Sequence, residues 1–176
     1  MTDRDQYVPG PASGAQVRKG GEKWTLILVR QLRHSPEKVW QALTKPEQLR
    51  EWAPFDAAGN LDTAGTAVKL TWVGTAATVE TKVTRADAPR LLEYSDMRWE
   101  LEAVDDGTRL TLWHNIDRQF VSWGAAGWHI CFDVLDRLLS GDPMGRILGS
   151  IAMKSEDWQR LTADYARQFE AEDGSR

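Results

Sequence analysis

The 176-residue chain holds three histidines and one cysteine, and their positions bound the chemistry it can offer. His114 closes the alternation Leu110, Leu112, His114, which turns it toward the apolar face if the segment is a strand. An imidazole with an ordinary pKa of about 6.5 can there donate to a ligand or act as acid or base. The plainer reading is a strand-end histidine satisfied by backbone or water. His129 and Asp133 stand four residues apart on one helix face with Asp136 nearby, a spacing that can hold a metal. One imidazole and two carboxylates without a second histidine make a thin ligand set, and a solvated face with a local ion pair is the simpler reading. His34 precedes a helix cap and reads as a linker residue. Cys131 lies on or beside an apolar stripe as a small hydrophobe. Being alone, it excludes an intramolecular disulfide and a multi-thiolate metal site. Gly-rich phosphate loops and a G-x-S-x-G elbow are missing, and the carboxylates are scattered on wet faces. The sequence therefore predicts no catalytic set, no metal and no cofactor.

The aromatic residues are the other candidates. Nine tryptophans outnumber four Phe and three Tyr together. Each carries a large apolar area and one N–H that wants a partner when buried. Strand parity turns Trp72, Tyr94 and Trp99 inward with Leu112 and His114. Trp128 heads a long helix, with Phe132 and Leu135 further along its stripe. These eight residues, Trp72, Tyr94, Trp99, Leu112, His114, Trp128, Phe132 and Leu135, are the candidate ligand pocket. Core packing and pocket lining are equally compatible with each ring taken singly.

The elements that must position them follow from spacing. Residues 1–15 are rich in Pro, Gly and polar groups and predict a mobile tail, leaving 16–176 as one domain. Gly20-Gly21 marks a hairpin leading into the strand Lys23–Leu32. Ser35-Pro36 caps one short helix, and Lys45-Pro46 ends it and starts another. From Phe55 to Asn115 the period is two, most clearly where Trp99, Leu101 and Ala103 oppose Arg98, Glu100 and Glu102. One apolar and one wet face indicate an antiparallel meander rather than βαβ units. Offsets of three, four and seven from Trp128 to Leu139 then predict a long helix over 124–140, and Ser155 caps a last helix over 155–171. An antiparallel sheet with one wet face must cover the other, and the long helix is the cover. The fold class is α+β.

Composition removes several functions. Lys and Arg number 22 against 26 Asp and Glu, a formal charge of −4, which does not suit a sequence-independent nucleic-acid binder. The longest aliphatic run, Leu26–Val29, falls far short of the ~20 residues of a membrane helix, so no membrane insertion is expected. Met1 to Pro11 has no apolar h-region, so the expected location is cytoplasmic.

Three motifs then give a specific resemblance. His34-Ser-Pro-Glu-Lys-Val-Trp-Gln-Ala-Leu-Thr-Lys-Pro-Glu-Gln-Leu-Arg-Glu-Trp52 resembles the P-x-x-V-W-x-A-L-T-x-P-x-x-L-x-x-W signature of the activator of Hsp90 ATPase homologue family. Gly107-Thr-Arg-Leu-Thr-Leu-Trp-His114 is similar to its last strand, G-T-x-L-x-L-x-H. Gly127-Trp-His-Ile-Cys-Phe-Asp-Val-Leu135 is similar to its long helix, with Phe132 at the usual leucine. The resemblance spans roughly Trp24 to Leu139. It implies the helix-grip fold of the START-like (SRPBCC) superfamily, a curved antiparallel sheet wrapped around a long helix with a hydrophobic cavity between them. Superfamily relatives bind lipids, sterols, hormones or polyketides, and a few catalyse cyclisation or dehydration. Chaperone stimulation in the family depends on a separate N-terminal domain that residues 1–23 do not resemble, so a chaperone partner is not expected. The leading expectation is non-enzymatic binding or carriage of a small hydrophobic or amphipathic molecule. A cyclase- or hydrolase-type enzyme using His114 and a protein-interaction module are the alternatives, and homodimerisation through the last helix stays open.

Overall fold

The computed structural model describes residues 7–74, 77–147 and 155–174. Strands β1 (Ala15–Arg18) and β2 (Lys23–Leu32) form the expected hairpin, with Gly21 at a φ of 66° in its turn. Helices α1 (Pro36–Thr44) and α2 (Pro46–Trp52) follow, and Ser35 caps α1 by accepting from the Lys38 amide. The meander comprises β3 (Phe55–Ala57), β4 (Ala67–Trp72), β5 (Thr78–Asp87), β6 (Leu91–Tyr94), β7 (Met97–Val104) and β8 (Gly107–Asp117). A short 3-10 turn leads into α3 (Val121–Leu139), and α4 (Glu156–Gly174) closes the chain. The long helix starts three residues before the expected Gly124, because Asp117 caps the turn ahead of it by accepting from the Gln119 amide.

All eight strands join one antiparallel sheet in the order β1-β2-β8-β7-β6-β5-β4-β3. Only the pairing of β2 with β8 departs from sequence neighbours, and it runs the whole length of β2, from Lys23↔Asp117 to Leu32↔Thr108. At ~4.8 Å per strand, β4 and β8 would stand ~19 Å apart in a flat sheet. The rings of Trp72 on β4 and His114 on β8 nevertheless lie 6.3 Å apart between centroids. The sheet is therefore curled into a half-barrel, and α3 lies in its concave side. This is the α+β helix-grip architecture.

One side of α3 buries Trp128, Phe132, Leu135 and Leu139 against the sheet. Its opposite side is covered by α4, whose Trp158, Leu161, Tyr165 and Phe169 are buried. That cover corrects the reading of His129 and Asp133 as a solvated face: His129 is only 5% exposed.

The tail expected over 1–15 is also different from Tyr7 onward; residues 1–6 lie outside the described residues. Tyr7 donates its hydroxyl to Asp133, and the Tyr165 hydroxyl donates to Ser13 O at 3.0 Å. Arg160 and Gln168 of α4 donate to the carbonyls of Pro9 and Ala12. Low apolar content suggested a free segment, but its backbone polar groups are tied to a helix about 150 residues away in sequence. No helix among the described residues is long and apolar enough to cross a membrane.

Candidate functional site

Period-two alternation puts Leu110, Leu112 and His114 of β8 on the concave face, beside Trp99 and Met97 of β7 and Leu28 and Leu26 of β2. Tyr94 of β6 pairs with Met97, and Leu92 with Trp99. Trp128 and Phe132 descend on this face from α3. The result is a continuous chain of rings. Phe55 meets Tyr94 at 6.2 Å and Trp72 at 5.2 Å; Trp72 meets His114 at 6.3 Å; His114 meets Trp128 at 5.9 Å. Trp128 then meets Trp99 at 5.5 Å and Phe132 at 5.9 Å.

Two of these rings, Trp52 and Phe55, were not among the candidates. Trp52 packs on Trp99, Trp128 and Phe132 with centroids 6.0 to 6.5 Å apart. A local signal for it exists in the sequence. The Ala42 carbonyl would take its helical bond from residue 46, which is proline and has no N–H. The Trp52 indole N–H fills that place, donating to Ala42 O at 2.9 Å.

Burial divides the eight candidates. Trp99, Tyr94 and Phe132 are 1% exposed and Leu112 and Leu135 fully buried, so these side chains meet each other rather than an open chamber. Trp128 is 4% exposed. Trp72 and His114 are half-buried and form the rim where the cluster reaches solvent. Their ring planes are within 5° of parallel.

His114 is held in a defined state. Its Nδ1 accepts the Trp128 indole N–H at 3.1 Å, which places the ring proton on Nε2. Burial lowers its pKa to about 4; Asp96 raises it a little and Lys23 lowers it. At neutral pH it is an uncharged imidazole with its lone pair occupied and one N–H to give. The Tyr94 hydroxyl is held well above its usual range by burial. The Trp99 indole N–H lies close enough to offset that slightly, yet no acceptor reaches it in hydrogen-bond geometry, so the two are neighbours rather than bonded partners.

The second polar cluster lies on the far side of α3. Arg30 donates to Asp133 Oδ1 at 2.6 Å, and His129 Nε2 stands 3.6 Å from Asp133 Oδ2. His129 Nδ1 meets the Tyr165 hydroxyl at 2.7 Å. Burial is the main cause lowering the His129 pKa. Asp136 faces His34 at 3.6 Å. The two carboxylates near His129 thus serve different partners, and no group of three metal-ligating side chains gathers among the described residues. Cys131 is buried, with its thiol pushed up to about 12.

Open grooves of about 450 and 390 Å³ lie on the convex face, lined by charged side chains including Arg98, Glu93 and Asp96 in one and Arg85, Asp87 and Glu102 in the other. The sheet separates both from the aromatic cluster: Trp113 and Asn115 of the first alternate with His114 along β8, and Glu100 and Glu102 of the second alternate with Trp99 along β7.

The family model for activator of Hsp90 ATPase homolog 1-like protein matches residues 33–140. No curated protein matches the chain. Among solved structures, CalU16 from Micromonospora echinospora is 21% identical, with 89% of this chain and 94% of that one covered and a TM-score of 0.64. A conserved protein of unknown function from Enterococcus faecalis, EF2215, is 16% identical over 88% of this chain and 89% of its own, with a TM-score of 0.66. SSP2350 from Staphylococcus saprophyticus is 19% identical over 70% of this chain and 98% of its own, with a TM-score of 0.59. At these identities the structures speak for the fold. The family match covers more than half of the sequence, from the entry to α1 through the last turn of α3, and on that match the chain belongs to the activator of Hsp90 ATPase homolog 1-like family.

Proposed function

We propose that this protein binds a small apolar or amphipathic molecule at the rim formed by Trp72, His114 and Trp128, without transforming it. The carrying observation is the state of His114. A neutral imidazole has one lone pair, and here it is taken by the Trp128 N–H. The remaining nitrogen can only donate. A group with a pKa near 4 and no free lone pair is a poor base, and at neutral pH a poor acid. It is well suited to orient a ligand among aromatic walls, where one or two fixed polar groups in an apolar site set direction. This favours binding over the cyclase- or hydrolase-type alternative.

The buried members of the cluster enter as walls rather than as lining. Since Tyr94, Trp99 and Phe132 are already in contact, a ligand that reaches past the rim must part them. Met97 is the side chain suited to yield. It is 3% exposed, stands between Tyr94 and His114 in the strand register, and has the flexible thioether that fills irregular gaps.

The test is native mass spectrometry of protein isolated gently from expressing cells, comparing wild type with His114→Leu. A mass excess lost on denaturation, and reduced in the variant while its circular dichroism is unchanged, is the expected result. An excess equal in both proteins would remove His114 from the site. Bare protein at 19.9 kDa throughout would count against a carried ligand.

A further inference from the structure

We propose that the molecule bound at this rim presents an uncharged hydrogen-bond-accepting oxygen, such as a ketone, ester or amide carbonyl, on a flat apolar skeleton; the proposal rests on the binding reading above. The site's polar inventory is one-sided. His114 Nε2–H is a donor, and its Nδ1 is already used by Trp128. The Trp99 indole N–H is a second donor, buried beside the Tyr94 hydroxyl but outside hydrogen-bond geometry with it. Its counterpart in Trp52 shows what such a group normally finds, a backbone carbonyl at 2.9 Å. Leaving a buried donor unmet costs about 1–3 kcal/mol, so an orphan N–H in a well-packed cluster asks for an explanation. The Tyr94 hydroxyl can do either. Neither fixed group accepts, so the N–H groups of a neutral amine would find no partner there.

Negative charge is disfavoured by what stands beside the rings. Lys23 is paired with Asp96 at 3.5 Å, and Arg30, 5.9 Å over the Phe132 ring, is committed to Asp133 at 2.6 Å. A carboxylate entering the cluster would lose water without gaining a free cation, and a buried unpaired charge is the most costly case. A carbonyl loses little and gains the waiting N–H. A flat skeleton is the shape that aromatic walls such as Trp72 and Trp128 stack on best.

The experiment uses three probes of nearly one shape on the full chain at pH 7: 2-acetylnaphthalene, 2-ethylnaphthalene and 2-naphthoate, each titrated by calorimetry. One hydrogen bond to a buried donor predicts the ketone tighter than the hydrocarbon by about tenfold. The naphthoate is expected to be weaker than the ketone. His114→Leu should lower the ketone's advantage while hydrocarbon binding persists, and His114→Gln, which keeps a donor near the Nε2 position, should restore part of it. Ketone and hydrocarbon binding equally, or naphthoate binding best, overturns this inference and leaves the binding reading in place. Failure of all three probes to bind folded protein overturns both.

Discussion

The neutrality of His114 can be tested apart from any ligand. In the folded protein its pKa is about 4, against about 6.5 for a free imidazole. Between those values the unfolded chain binds a proton that the folded chain refuses, so stability rises with pH across this window. The contribution is complete above about 6.5 and is lost progressively as pH falls toward 4. At 1.36 kcal/mol per pH unit the difference is on the order of 3 kcal/mol. Carboxylates also titrate there, and His114→Gln separates them because the variant keeps every other group. Urea unfolding of both proteins, followed by circular dichroism from pH 8 to pH 4, should show the wild type losing about 3 kcal/mol more than the variant between about pH 6.5 and 4. Long-range proton–nitrogen spectra should show Nε2 protonated and Nδ1 bare down to about pH 5. A wild-type curve parallel to that of the variant would refute the reasoning, as would an imidazole titrating near 6.5. The bond from Trp128 and the burial of the ring would then both be misjudged, and the case for a fixed donor would fall with them.

Other outcomes follow from the packing. Trp52→Ala removes a ring that is 1% exposed and strips the Ala42 carbonyl of its donor, so calorimetry should show a loss of about 3–5 kcal/mol and a melting temperature lower by about 6–20 °C. Tyr165→Phe deletes a hydroxyl shared by His129 Nδ1 at 2.7 Å, Ser13 O at 3.0 Å and the Ser13 amide at 3.2 Å. It should cost about 1–3 kcal/mol and speed hydrogen exchange at Ser13, and an unchanged exchange rate would show that the N-terminal segment is held by other means. Gly107→Ala places a Cβ 2.1 Å from Leu32 O at a φ of +151°, so the urea midpoint should fall by the equivalent of about 3 kcal/mol or more.

What the sequence made legible is what one element settles by itself. The alternation through Trp99 and Leu101 on β7, and through Leu112 and His114 on β8, appears unchanged in the register. The α3 stripe is where periodicity put it. What stayed hidden depends on a second element arriving from far along the chain. Spacing put His129 and Asp133 on one face, but whether water or α4 covers that face is decided by residues 156–174. Val79 keeps the two-residue period of Val83 on β5 and is still 41% exposed, since alternation does not say whether another element covers that end of the strand. The tail looked free because Pro and Gly carry little apolar area. Its backbone N–H and C=O groups meet partners on α4, and composition cannot show that. Trp52 shows the same limit: the helix period says that it is buried, and only the curl of the sheet brings it to Trp99.

The two polar features of the molecule stand on opposite sides of one helix and at adjacent residues. Trp128 faces inward and fixes the His114 ring; His129 faces outward and meets Tyr165. One turn on, Phe132 packs in the ring cluster while Asp133 receives Arg30 and Tyr7. A helix alone can slide or roll against an apolar sheet, because dispersion contacts have little directional preference. Hydrogen bonds to Asp133 and His129 do have direction, and they come from β2, from the segment before β1 and from α4, all outside the stretch that matches the family model. Two of these three elements are also joined without α3, through Tyr165 and Ser13. The outer cluster therefore holds α3 in one rotational setting, which is the setting that keeps the Trp128 N–H on His114 Nδ1. The His114 ring is thus tied, through Trp128 and α3, to residues on the far side of the helix as well as to the rings beside it.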